Sequence, residues 1–489
     1  VSKRYDVVVV GGRLSAVLTA ALLAKRGLRG LLVDQGELST FAPDHLADEV
    51  WSPAGSAVME RVLRELELKD TLNRSWIATE PLLHVVFPDE RVELGADAEV
   101  SADRLAQALG PASRGLWPRL TSLHDQVGAF LESGVEVPAP PGFFARRAAT
   151  AAAKRAPVLE STWSDVPELA EANALHLDLV AGLAPFLTHL DPRTPKELLL
   201  GRLARPLVRF GAGVGRVRHA EGLRGLLLEY AQSKALQVRK TAVEHIEPEN
   251  KGWSIRLAGA RDPVLADALV DASTDLSGVE VIPSRQQGRQ LPLTLQAARP
   301  RGYLYAFGFE VDRAALPPGL GPRLLLLNGR RDRSRFDPDE PNSEDRPIWL
   351  TTRPAEREDR IQLVALHPFS SVQARGSEVM AAKDAVVRAR VERLFPFFSE
   401  GHPETFMPGA SGRGAPFLSH PHFDPDLDES TGLGGVPTRT AMKTLFLAGP
   451  AVLPGLGQEG EYLAAFQAAE AVEQQLSGAR KKKAPSLDR

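Results

Sequence analysis

The stretch YDVVVVGGRLSAVLTAALLAKRGLRGLLVD, Tyr5 to Asp34, decides the fold. Its valine run, Val7 to Val10, is β-branched throughout and suits a strand buried on both faces. Gly11 and Gly12 interrupt the run. Leu14 to Lys25 is rich in alanine and leucine and holds neither glycine nor proline, which predicts a largely buried helix. Gly27 stands where a helix C-terminal glycine belongs, and Leu28 to Val33 forms a second apolar run ending at Asp34. Strand, helix and strand within about thirty residues indicate an α/β fold.

That order sets the turn after the first strand against a helix N-terminus, whose free N–H groups and partial positive charge suit a pyrophosphate. Asp34 is placed to accept hydrogen bonds from a ribose, 23 positions after Gly11. Laid over the dinucleotide fingerprint G-x-G-x-x-G, the chain reads Gly11, Gly12, Arg13, Leu14, Ser15, Ala16. Alanine is an accepted last residue; Arg13 is not an accepted third, because its β-carbon obstructs the close approach of backbone to phosphate. Three readings stay open for Arg13: it swings outward, it pairs with the phosphates, or the site has decayed.

A second informative stretch, Leu445 to Gly460, reads LFLAGPAVLPGLGQEG and is followed by EYLAAFQAAEAVEQQL. It predicts a short strand, a glycine-rich turn and a helix carrying Leu463, Phe466, Ala469 and Val472 on one side. Glu459 and Glu461, near the helix start, suit its dipole. Between the two stretches, Gly222 opens a helix that leads into strands.

These motifs resemble those of the FAD-dependent phytoene desaturase and amine oxidase group. Gly449, Pro454, Gly455, Gly457 and Gly460 match its C-terminal flavin turn in order. The resemblance implies an FAD/NAD(P)-binding Rossmann-type domain with an inserted mixed α+β substrate domain. The Rossmann parts would be 1–76, 206–282 and 425–476, the inserted parts 77–205 and 283–424, and 477–489 a basic flexible tail. It further implies FAD as cofactor, with Gly11, Gly12, Arg13, Leu14 and Ala16 at the diphosphate and Asp34 at the ribose. Val243 would lie at the adenine, and Gly449, Pro450, Gly455, Gly457 and Gly460 at the flavin ring. The sequence departs from the family in two further places. Asp34 is followed by QGELSTFAPDH, without the family's glycine pair, and Pro450 removes a backbone donor from the ring side.

Two functions follow. One is an FAD-dependent oxidoreductase taking hydride from a hydrophobic or amine substrate. The other is a non-catalytic scaffold that has lost FAD and binds a lipid or protein partner. No catalytic acid or base is identifiable.

The 489 residues carry a net charge of −3, which gives no reason to expect nucleic acid as partner, and suffice for two or three folding units. The absence of cysteine excludes disulfides, thiolate zinc sites and iron–sulfur clusters. Without a charge-free apolar run of about 20 residues, the expectation is a cytoplasmic protein lacking a membrane-spanning helix. The segment around Phe143, Phe144 and the basic residues Arg146 to Arg155 reads either as a basic helix with its phenylalanines in the core or as a peripheral membrane contact. His420, His422 and Asp424 read as an irregular loop in preference to a metal site, and Asn328–Pro347 as a solvated loop.

Overall fold

The valine run becomes strand β1 (Arg4–Val10). The computed structural model describes residues 3–35, 49–87, 89–140, 142–155, 174–190, 200–219, 221–249, 252–273, 290–327, 347–370, 377–406, 418–423, 433 and 435–483. β1 lies between β2 (Gly30–Asp34) and β11 (Val264–Asp271), parallel to both. β8 (Gln237–Lys240) continues the parallel order beyond β2, and β18 (Leu445–Leu447) runs parallel to the second half of β11. An antiparallel pair, β9 (Val243–Glu249) and β10 (Gly252–Leu257), completes this seven-stranded sheet. Val7 and Val9 enter one core cluster, while Val8 and Val10 enter another with Trp253 and Ile255. Both faces of β1 are covered, which is why its sequence does not alternate.

Helix α1 (Leu14–Lys25) is buried at every position from Ser15 to Ala24, so it shows no polar face. It packs against α12 (Gly457–Lys483) and α9 (Gly222–Ser233). α12 continues through Lys483, so the basic cluster Arg480–Lys483, expected in a tail beginning at 477, forms its last turn.

A second sheet of eight strands draws on two separated stretches of chain. β5 (Leu83–Val86) and β6 (Arg91–Leu94) form a hairpin at one edge. β12 (Gly302–Asp312), β13 (Arg323–Leu326), β14 (Ile348–Pro354), β15 (Arg360–Ser370), β16 (Glu404–Phe406) and β17 (Leu418–His422) supply the rest. Along β12, Tyr303, Tyr305, Phe307 and Phe309 face a core shared with Val387, Val391 and Phe395, residues in and just after α11 (Ser377–Leu394). Leu304 and Ala306 face the opposite core, which they share with α1 and α12. A small third sheet joins β3 (Val50–Trp51), β7 (Val214–Val217) and β4 (Trp76–Ala78).

The remaining helices are α2 (Ala57–Glu65), α3 (Lys69–Ser75), α4 (Ala98–Leu109), α5 (Leu116–Glu132), α6 (Phe143–Ala153), α7 (Ala174–Leu187), α8 (Leu200–Gly211) and α10 (Gln290–Ala297). The β5–β6 hairpin pairs with β13, a partner some 240 residues away. Two expectations change. The boundaries at 76/77 and 205/206 fall inside β4 and α8. His420 and His422 lie on a strand, β17, paired with β12, where a loop was expected. The loop expected over Asn328–Pro347 lies, but for its last residue, outside the described residues, as does Asp424. Among the described residues no helix is long and apolar enough to cross a membrane.

Candidate functional site

At the end of β1 the backbone passes between β2 and β11. Gly11 has φ +140°, and a β-carbon there would lie 2.7 Å from the Ala272 carbonyl oxygen, so the position requires glycine. Gly12 and Arg13 are half-buried; Arg13 is the N-cap residue of α1 and provides no side-chain cap. Leu14 opens the helix and packs on the core, followed by the fully buried Ser15 and Ala16.

The helix terminus is capped from elsewhere in the chain. The Ser15 N–H donates to Oε2 of Glu461, in the first turns of α12, at 3.1 Å. A carboxylate of the protein itself therefore stands where the sequence places a diphosphate. The Ser15 hydroxyl beside it has no hydrogen-bond partner among the described residues, yet Ser15 is 0% exposed.

Asp34 is also engaged. Its buried carboxylate pairs with the Arg224 guanidinium from α9, and Arg224 Nε donates to the Gly12 carbonyl at 3.0 Å. One arginine thus bridges the first glycine-rich turn and the acid expected at the ribose. Val243 opens β9 two residues past Thr241, whose N–H donates to the Asp34 carbonyl at 3.2 Å.

At the other turn, Gly449 follows β18, Pro450 is buried behind it, and Pro454, Gly455 and Leu456 form a buried 3-10 turn. Gly457 has φ +54°; a β-carbon there would lie 2.0 Å from the Leu187 carbonyl oxygen at the end of α7 and 2.9 Å from the Trp51 ring. The His189 N–H donates to the Pro454 carbonyl at 2.8 Å. Gly460 is similarly close to its own chain, with the Leu453 carbonyl 2.4 Å from a β-carbon position. At this turn the space freed by the glycines is taken by backbone of the same protein.

A dense polar layer fixes the start of α12. Glu459 is fully buried and accepts from Arg205 Nε at 2.6 Å, from Arg205 Nη2 at 2.7 Å and from the Ser56 hydroxyl. Burial pushes its carboxyl up, but the hydrogen bonds and charge of Arg205, helped by Ser56 and Arg209, prevail and hold it below its usual value. Arg205 Nη1 also donates to the His124 carbonyl at 3.1 Å. Gln458 accepts from the Trp51 N–H at 2.8 Å and donates to the Glu49 carbonyl at 2.9 Å, tying α12 to β3. Glu459 and Glu461, expected to serve their own helix dipole, thus find their partners on other elements.

Beyond Glu461 lies a buried histidine group. His189 stacks on His420 with ring centroids 4.0 Å apart, its Nδ1 meets the Pro421 carbonyl at 3.0 Å, and its Nε2 is 3.9 Å from Glu461 Oε1. Nε2 of His420 and of His422 each contact a backbone carbonyl at 2.8 Å, of Thr188 and Pro185. Those nitrogens are N–H donors and are not available to a metal. Among the described residues no group of His, Cys, Asp and Glu is suited to one.

The residues present do not fit FAD. A carboxylate occupies its diphosphate position, Arg224 occupies its ribose acid, and the ring-side turn is buried under the end of α7. The sequence brings Gly11–Ala16, Asp34 and the C-terminal glycines into one region, but it gave no sign of Arg224, Arg205 or His189. The one available signal was a glutamate directly after Gly460, inside a turn expected to approach an anionic cofactor.

No protein-family model matches the sequence, and no curated protein matches it. Solved structures match its fold along nearly the whole chain. Cyclohexylamine oxidase from Brevibacterium oxydans IH-35A aligns with 97% of this chain and 99% of its own at 16% identity and TM-score 0.52. Wild-type putrescine oxidase, bound to putrescine, aligns with 97% and 99% at 16% identity and TM-score 0.52. An oxidoreductase from Methanosarcina mazei aligns with 95% and 99% at 12% identity and TM-score 0.54. The chain has the fold of these amine oxidases and related oxidoreductases.

Proposed function

We propose that this protein is a non-redox member of that fold, a binding or scaffold protein whose dinucleotide cleft is closed by its own side chains. The observation that carries the proposal is the Ser15–Glu461 hydrogen bond. A diphosphate and a carboxylate compete for one helix terminus: like charges about 4 Å apart repel by roughly 4 kcal/mol at an effective dielectric of about 20. The Arg224–Asp34 pair and the zero exposure of Ser15 and Leu456 act in the same direction. The partner class is a lipid or another protein.

The competing reading is an FAD-dependent oxidoreductase that takes hydride from a hydrophobic or amine substrate. It draws on the likeness in fold, which hosts chemistry only where the site permits it. The two separate in an anaerobic reduction experiment, with the protein incubated with FAD, freed of excess flavin, and exposed to a panel of primary amines and polyenes. The proposal expects no retained flavin and no bleaching. Retained flavin that an amine or polyene bleaches would establish the oxidoreductase instead.

A further inference from the structure

Helix α6 opens with Phe143 and Phe144, 71% and 83% exposed, the most exposed large hydrophobic side chains among the described residues. Their rings touch edge to face, with centroids 5.6 Å apart, and form one apolar knuckle. The helix is seated on the protein by Ala149, Ala152 and Ala153. Arg146, Arg147 and Lys154 are exposed, and with Phe143, Thr150 and Ala151 they line a shallow groove on the outer side. At 100° per residue, Phe143, Arg147, Thr150, Ala151 and Lys154 fall on one stripe, opposite the alanine seam. Residues 143–155 contain no acidic side chain, and no carboxylate among the described residues pairs with Arg146, Arg147 or Lys154.

We propose that α6 is a docking surface for an anionic phospholipid bilayer, with Phe143 and Phe144 entering the headgroup–acyl boundary and Arg146, Arg147 and Lys154 meeting the phosphates. An apolar pair flanked by uncompensated cations on a helix lying along the surface is the arrangement such an interface selects. A protein partner would need a broader apolar patch than two rings present. The inference is independent of the cofactor cleft.

The test is co-sedimentation of the full chain with vesicles of phosphatidylcholine alone and of phosphatidylcholine with about one-third phosphatidylglycerol, an anionic fraction ample for a polybasic segment. Binding is expected only to the anionic vesicles and should weaken as salt is raised. Each basic side chain near such a surface contributes about a fivefold factor, so Arg146→Ala with Arg147→Ala weakens binding roughly 25-fold. Phe143→Ser with Phe144→Ser weakens it by at least about tenfold. All four positions are exposed, so circular dichroism of the variants should match that of the parent. Absent binding to anionic vesicles, or binding that neither variant changes, would overturn the proposal. A dimer in solution that only the phenylalanine variant dissolves would also overturn it, assigning the knuckle to self-association.

Discussion

Replacing Glu461 with alanine should reopen the anion site at the start of α1. The carboxylate accepts the Ser15 N–H at 3.1 Å, so a diphosphate oxygen seeking that donor would lie about 4 Å from a second negative charge. At an effective dielectric of about 20, each charge pair costs roughly 4 kcal/mol, near a factor of 10³ in dissociation constant. Glu461→Ala should therefore tighten FAD binding by about three orders of magnitude, and Arg13→Gly should add to this by letting backbone approach the phosphate. The cost is stability: the buried Ser15 N–H loses its acceptor, worth about 1–3 kcal/mol. In a thermal melt the variant should start lower than the parent and rise with FAD, since a ligand that binds only the folded state stabilises it by mass action. The parent should not respond. Equal FAD affinities in parent and variant would refute the assignment of Glu461 as the group that closes the site.

Other outcomes follow from the polar layer and the tight turn. Arg205→Met leaves Glu459 buried without its partner and should cost about 3–5 kcal/mol at neutral pH in denaturant unfolding. In that variant burial is opposed only by the Ser56 hydrogen bond and the Arg209 charge, so the Glu459 pKa rises and the loss should shrink as pH falls and the carboxyl takes up a proton. Arg205→Met combined with Glu459→Gln should recover much of the deficit. His124, mostly buried and beside the Arg205 charge, has its pKa lowered to about 4. The unfolded chain therefore binds a proton that the folded protein refuses between the ordinary histidine value and about pH 4. Stability drains across that window by an amount on the order of 3 kcal/mol, and His124→Gln should flatten the profile there, as read by unfolding at several pH values. Gly457→Ala places a methyl 2.0 Å from the Leu187 carbonyl oxygen at a left-handed φ and should cost about 3 kcal/mol or more, measured as a lowered unfolding midpoint.

The parallel sheet was legible because its signals are local. The unbroken valine run, the glycine pair and the alanine-rich helix each state their own structure, and the strand–turn–helix at Leu445–Gly460 does the same. The pairs that hold the two turns were not legible, because their members lie far apart in sequence: Ser15 with Glu461, Asp34 with Arg224, Glu459 with Arg205. Nothing in the residues near Arg224 or Arg205 marks them as partners of those acids. The same holds for the β5–β6 hairpin, whose short strands exist by pairing with Leu324–Leu326. Arg13 and the glutamate directly after Gly460 were the local departures from the dinucleotide pattern, and neither names Arg224 or Arg205.

The most direct test is a flavin titration of the unmodified protein. Freshly purified chain should be colourless, and added FAD should keep its free fluorescence and visible spectrum at every protein concentration. Saturable quenching of FAD fluorescence, or yellow protein carrying oxidised flavin from the cell, would contradict a cleft closed by Glu461 and Arg224.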